Sequence, residues 1–194
     1  MYKPSLLDSR LDEYVKLALL NENGAPNIHI TSDDQDIVRI LTEFLETSGL
    51  SKNLTEWARI GCKYGSSFVQ LNMDDNNQVF IGEILSTSGI TIYEENYKYY
   101  YSYQFGETNR FYNPNEILHF KFGSDINRSP YGTPILDFSV FYDFSDKFKE
   151  PVNTTNTTLS QIRTMVTSEV EKLFKMKLYT SGIQNHSNFK IEIK

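Results

Sequence analysis

The chain has 194 residues, 39% of them hydrophobic, 14% aromatic and 23% charged. That is enough apolar material for one domain spanning 1–194 with its own core, and the composition lies far from that of a disordered chain. The formal charge of −6, from 19 basic against 25 acidic residues, argues against a protein that grips nucleic acid mainly through phosphates. The charge is uneven: residues 1–50 hold four bases and nine acids, whereas residues 147–194 hold eight bases and four acids. No run approaches about 18 consecutive apolar residues, so no membrane span is expected. The start of the chain lacks the apolar core of a secretion signal. Cys62 is the only cysteine, which excludes a disulfide framework and makes a reducing, intracellular setting the expectation. The Asn-x-Ser/Thr triplets at Asn53, Asn127, Asn153, Asn156 and Asn185 then read as polar loops.

Leu11, Val15, Ala18 and Leu19 recur at helical spacing and predict a first helix, capped by Asp8 or Ser9 and ended near Asn23-Gly24. Ile28 and Ile30 alternate in a short strand over 27–31. A second helix is expected from Ser32 or Asp33, with the stripe Ile37, Ile40, Leu41, Phe44 and Leu45, closing on Gly49. A third is expected from Asn53, with Glu56 completing a capping-box variant and Gly65 as its stop. The period then changes to two. Strands are expected over 68–71 and 78–85 around an Asp74–Asn77 turn, then over 90–93, 97–105 and 116–122. Turns fall at 106–109 and at Asn113-Pro114, and 123–134 is rich in turn formers. A helix is expected over 135–148, a polar linker over 151–158, and the longest helix over about 157–181. Its seam is Leu159, Ile162, Val166, Val170, Leu173 and Lys177 or Leu178. Phe189, Ile191 and Ile193 alternate in a last strand. The expectation is an α+β chain with helices at both ends and an antiparallel sheet between them.

Chemistry-bearing patterns are sparse. His29, His119 and His186 are scattered, no His/Cys spacing suits zinc, and nucleophile elbows and phosphate loops are absent. No metal or cofactor is expected. Asp33, Asp34 and Asp36 read as acids at a helix start rather than a calcium loop. His119 reads as a hydrogen-bonded structural residue, and Cys62, despite neighbouring Lys63, as a buried packing residue. Tyr97, Tyr99, Tyr101 and Tyr103 would share one face of a strand and are the one feature suited to stacking on bases. The plainer reading is an aromatic face packed inside the protein. A hydrolase using paired carboxylates is the remaining alternative, and no spacing marks one.

Four segments in order resemble portal proteins, the head–tail connectors of tailed bacteriophages. They are Leu11-Asp12-Glu13-Tyr14; Asn53–Arg59, with Trp57, running into Cys62-Lys63-Tyr64-Gly65; Asn115–Lys121, with His119-Phe120; and Ser129–Leu136, with Pro130-Tyr131-Gly132. The likeness covers residues 10–140 well and 155–194 more loosely. It implies a wing-like α+β unit with no catalytic role, located at the capsid vertex of a virion and made in the host cytoplasm. It also implies self-association in a ring and contact with the terminase motor, capsid or scaffold proteins and tail adaptors, while double-stranded DNA passes through. Portal subunits insert a stem and a clip before the late helix. Here that interval shrinks to about 144–158, so a monomer or weak oligomer is expected instead of a stable ring.

Overall fold

The computed structural model describes residues 6–123, 129–135, 152–184 and 186–194. Helix α1 (Leu6–Leu19) leads to strand β1 (Ile28–Thr31), then helices α2 (Gln35–Thr47) and α3 (Leu50–Tyr64). Six strands follow: β2 (Ser66–Met73), β3 (Val79–Leu85), β4 (Ile90–Glu95), β5 (Lys98–Phe105), β6 (Thr108–Tyr112) and β7 (Ile117–Lys121). Helix α4 (Val152–Thr180) and strand β8 (Lys190–Ile193) complete the described elements. The α+β class holds. The single expected sheet is instead three antiparallel sheets among the described residues, ordered β1-β8, β3-β2-β7 and β4-β5-β6.

The β3-β2-β7 sheet is the middle layer. Val69, Leu71, Val79, Leu118 and Phe120 join the helices in one buried cluster. Phe68, Leu85 and Ile117 join Ile90, Tyr101 and Tyr112 of the outer sheet in a second. Burial on both faces is why β7 reads Ile-Leu-His-Phe with almost no polar alternation. On the other side, α4 packs against α1, α2 and α3. Its 29 residues reach about 44 Å at 1.5 Å per residue. Ile162, Val166, Val170, Leu173, Phe174 and Leu178 are fully buried on it, so Leu178 closes the seam and Lys177 does not. Lys177 lies over the Phe44 ring, 5.5 Å from its centroid, and donates to Gln78 Oε1 at 2.7 Å. Arg163 Nε donates to the Ala18 carbonyl at 3.0 Å, satisfying one of the open carbonyls at the end of α1. No helix among the described residues is long and apolar enough to cross a membrane.

Several boundaries differ from the expectation, each for a local reason. Helix α1 already runs at Leu6, so Asp8 is not its cap; it is buried and holds Arg59 and Lys63 of α3 at 3.1 and 2.8 Å. Arg59 also bonds Asp12, one turn further along α1. Helix α2 is capped by Asp34, whose side chain accepts from the Asp36 amide. Gly49, with φ of 75°, precedes α3 rather than ending α2. Helix α3 starts at Leu50, three residues before the expected Asn53, because Leu50 is itself fully buried and anchors the first turn. Tyr97 sits in a turn with φ of 60°, outside strand β5. Residues 108–112 form strand β6, which takes in Thr108 and Asn109 of the expected 106–109 turn and the unassigned 110–112. The expected linker over 151–158 is helical from Val152. The helix expected over 135–148 lies outside the described residues except for Ile135, and so does 144–151 of the shortened interval.

Val166 is fully buried among α1, α3 and α4 residues. A carboxylate there would lose its hydration with no partner, a cost comparable to the whole stability of a domain of this size. Val166→Asp should therefore abolish cooperative thermal unfolding in circular dichroism, and a sharp transition in the variant would refute the core assignment.

Candidate functional site

The motif segments far apart in sequence meet at one joint. Helix α3 ends on Gly65, with φ of 82°, a value that glycine adopts without strain. The Phe122 amide donates to the Gly65 carbonyl at 2.9 Å, and the Thr133 amide donates to the Phe122 carbonyl at 2.8 Å. The loop of Pro130, Tyr131 and Gly132 is thereby laid alongside the end of α3. A Cβ on Gly132 would overlap the Gly65 and Phe122 backbones, and one on Gly65 would overlap Gly132. Both positions must be glycine for the chains to touch.

Three further contacts brace the joint. Ser66 Oγ accepts the Gly132 amide at 3.0 Å and lies 3.0 Å from His119 Nε2. Tyr131 carries its hydroxyl across to β4, donating to the Ile90 carbonyl and accepting the Ile92 amide, both at 3.1 Å. The Trp57 ring is buried with its centre 5.9 Å from that of Phe120. Tyr64 is the exception among the motif residues. It is 55% exposed, with the Lys63 ammonium 5.7 Å from its ring centroid.

A cavity of about 720 Å³ opens beside the joint, between α4, β5 and β7. Strand β7 is the edge of its sheet, and an edge leaves backbone groups unpaired. Two α4 side chains three residues apart take them up. Glu169 Oε2 accepts the His119 amide at 2.9 Å. Lys172 Nζ donates to the Ile117 and Pro114 carbonyls at 2.6 and 2.7 Å. Burial raises the Glu169 pKa, against the Lys172 charge and the His119 amide, which lower it. Burial lowers the Lys172 pKa, with the Glu169 charge opposing. His119 is pressed down to about 3, first by burial and then by the Lys121 and Lys172 charges. Its ring stacks on Phe68 at 4.4 Å, and Nδ1 lies 3.5 Å from the Tyr101 hydroxyl.

The Ser66–His119 pair has the spacing of a nucleophile and its base. Ser66 is only 1% exposed, however, and its oxygen already accepts the Gly132 amide. Among the described residues Glu169 is the one carboxylate lining the cavity, and no cluster of three metal-ligating side chains forms. Cys62 is fully buried, and burial pushes its thiol up. The neighbouring Lys63 is bonded to Asp8 instead.

The tyrosine strand divides. Tyr101 is buried at 4% exposure, and Tyr99 and Tyr103 pack against the same cluster. Tyr97 is 99% exposed in its turn and shares no face with them. The sequence pattern did not single out Glu169, Lys172 or Ser66. The available signal was an acid and a base three apart on α4, one position before the buried Val170 and Leu173. No protein-family description matches the chain, and no curated protein is similar to it.

Two measurements check the joint. Gly132→Ala must displace backbone on both sides and should cost about 3 kcal/mol in denaturant unfolding, the upper range for overpacking; a change within error would refute the contact. For His119 the folded pKa lies below the ordinary 6.5, so its contribution is complete above pH 6.5 and is lost as pH falls toward 3. Glu169 acts oppositely, because its raised pKa makes ionisation the unfavourable event. His119→Gln should flatten the loss of stability between pH 6.5 and 3, and the wild-type ring should remain neutral by NMR at pH 5. A charged His119 at pH 5 would contradict this.

Proposed function

We propose that this chain is a non-enzymatic structural protein of the portal type, a wing-like unit acting at a capsid vertex in DNA packaging and ejection. The observation that supports this reading is the convergence of the motif residues. Trp57, Gly65, His119, Phe120, Pro130, Tyr131 and Gly132 resemble the family's segments, and all serve one backbone joint. They hold elements in place, and the one titratable imidazole among them, His119, is buried at the cavity wall with Nε2 against Ser66. A protein whose most family-like residues are scaffold is one whose task is shape.

The internal burial of α4 supports a monomer or a weak oligomer. Its apolar stripe is consumed by α1, α2 and α3, so among the described residues α4 keeps no such stripe free for packing copies side by side. Contacts between copies would then rest on wing surfaces, short of the ~1,000 Å² of a persuasive interface. In an assembled particle, the partners of this reading are further portal subunits, the packaging motor, capsid or scaffold and tail-adaptor proteins. DNA would slide past and not be held, consistent with the net charge of −6. The rival nucleic-acid module needs accessible tyrosines, and the burial of Tyr101 counts against it.

Light scattering at micromolar concentration should give the mass of one chain, or a mass that falls on dilution; a stable ring-sized particle would overturn the monomer reading. Immunogold labelling with an antibody to this chain should mark one vertex per phage particle, and uniform or absent labelling would overturn the portal reading. Titration with labelled DNA should show weak, salt-sensitive contact. Submicromolar affinity lost on Tyr99→Ala would favour the rival module.

A further inference from the structure

The β4-β5-β6 sheet has an outer face, turned away from the β3-β2-β7 sheet, and aromatic side chains stand on it without any role in the core. We propose that this face binds an arginine side chain presented by a partner protein. Strand register sets the geometry. Tyr93 lies opposite Tyr100, and Glu95 lies opposite Lys98. Ser102 lies opposite Phe111 on the other side. Because side chains alternate between faces, Tyr93, Glu95, Tyr100 and Phe111 all project from the same side. Tyr100 is at the centre, with Tyr93 beside it and Glu95 and Phe111 on its two diagonals, within reach of aromatic side chains. These four residues line a cavity of about 300 Å³.

The chemistry selects a cation, and among cations a planar one. Tyr93 and Phe111 are 48% and 73% exposed, far more than a packing role requires. Aromatic faces attract cations through the ring quadrupole. No ion pair or hydrogen bond among the described residues occupies the Glu95 carboxylate, and the opposing Lys98 does not close on it. A guanidinium can stack on a ring and present two N–H groups to one carboxylate at once, which an ammonium cannot. The same sheet makes such a contact for itself on its inner side, where the Arg110 guanidinium lies 5.8 Å from the Phe105 ring centroid. A neutral apolar partner would leave Glu95 unused, and an acidic one would meet it directly. This proposal uses none of the motif residues and stands apart from the portal-type reading.

The test is an NMR titration of the full chain with N-acetyl-arginine methylamide against its neutral isostere, N-acetyl-citrulline methylamide. The arginine probe should give saturable shifts on the ring protons of Tyr93, Tyr100 and Phe111. The citrulline probe should bind about fivefold more weakly, as expected for an exposed cation–π contact. Arginine binding should weaken as sodium chloride rises, because Glu95 is in solvent. Glu95→Gln and Phe111→Ser should each lower affinity about threefold. Both sites are exposed, so unchanged Tyr101 and His119 signals will report an intact fold. Absence of saturation, equal binding of the two probes, or shifts confined to Tyr97 and Tyr64 would overturn the proposal.

Discussion

The contact of two backbones at Gly65 and Gly132 constrains everything around it. Helix α3 must end abruptly there, since its carbonyl at Gly65 is taken by the Phe122 amide of the strand end opposite. The loop bearing Tyr131 must lie flat, since Ser66 and Phe122 take its amides. Once that loop is placed, the Tyr131 hydroxyl bridges to β4 and ties the outer sheet to the inner one. One missing Cβ on each side thus fixes how three layers stack. A side chain at either position would separate α3 from the loop and would move the outer sheet with it.

The second constraint is electrostatic. An exposed sheet edge invites pairing with another chain, and β7 is such an edge. Helix α4 closes it with charged side chains instead of a further strand. The arrangement costs desolvation of Glu169 and Lys172, visible in their opposite pKa shifts. Each is compensated by hydrogen bonds to backbone and by the charge of the other. The cost also bears on His119, which loses its proton affinity first to burial and then to the charges of Lys121 and Lys172. A histidine held neutral between Ser66 and Tyr101 is a fixed strut through the pH range in which free imidazole titrates.

What the sequence made legible follows from how local each cause is. The helical stripes of α1, α2 and α4 and the stop at Gly65 depend on near neighbours in the chain, and the structure shows them as expected. Boundaries failed where a distant partner decides them. Asp8 reads as a cap until Arg59 and Lys63 arrive from α3, and Leu50 starts its helix early because a core waits for it. Strand β6 escaped because Thr-Asn-Arg-Phe-Tyr has little apolar alternation, and it exists by pairing with β5. Within the site, His119, Tyr131 and Gly132 were singled out by their motif. Ser66, Glu169 and Lys172 were not, since nothing local distinguishes a serine or a helix charge that meets a strand 50 residues away.

Strand β5 shows how one tyrosine-rich run serves two ends. Alternation sends Tyr99, Tyr101 and Tyr103 inward, where burial and the charge of Glu169 raise the Tyr101 phenol, and sends Tyr100 outward among Tyr93 and Phe111. Inward tyrosines combine a large apolar ring with a hydroxyl that can still find a partner, as Tyr101 finds His119. Outward, the same ring is a flat apolar plane bordered by Glu95. The inner face meets only part of its demand for partners within the protein, since the Tyr112 hydroxyl is buried without one. On the outer face the Glu95 carboxylate stands beside exposed aromatic rings with no partner among the described residues, an arrangement that favours positive charge.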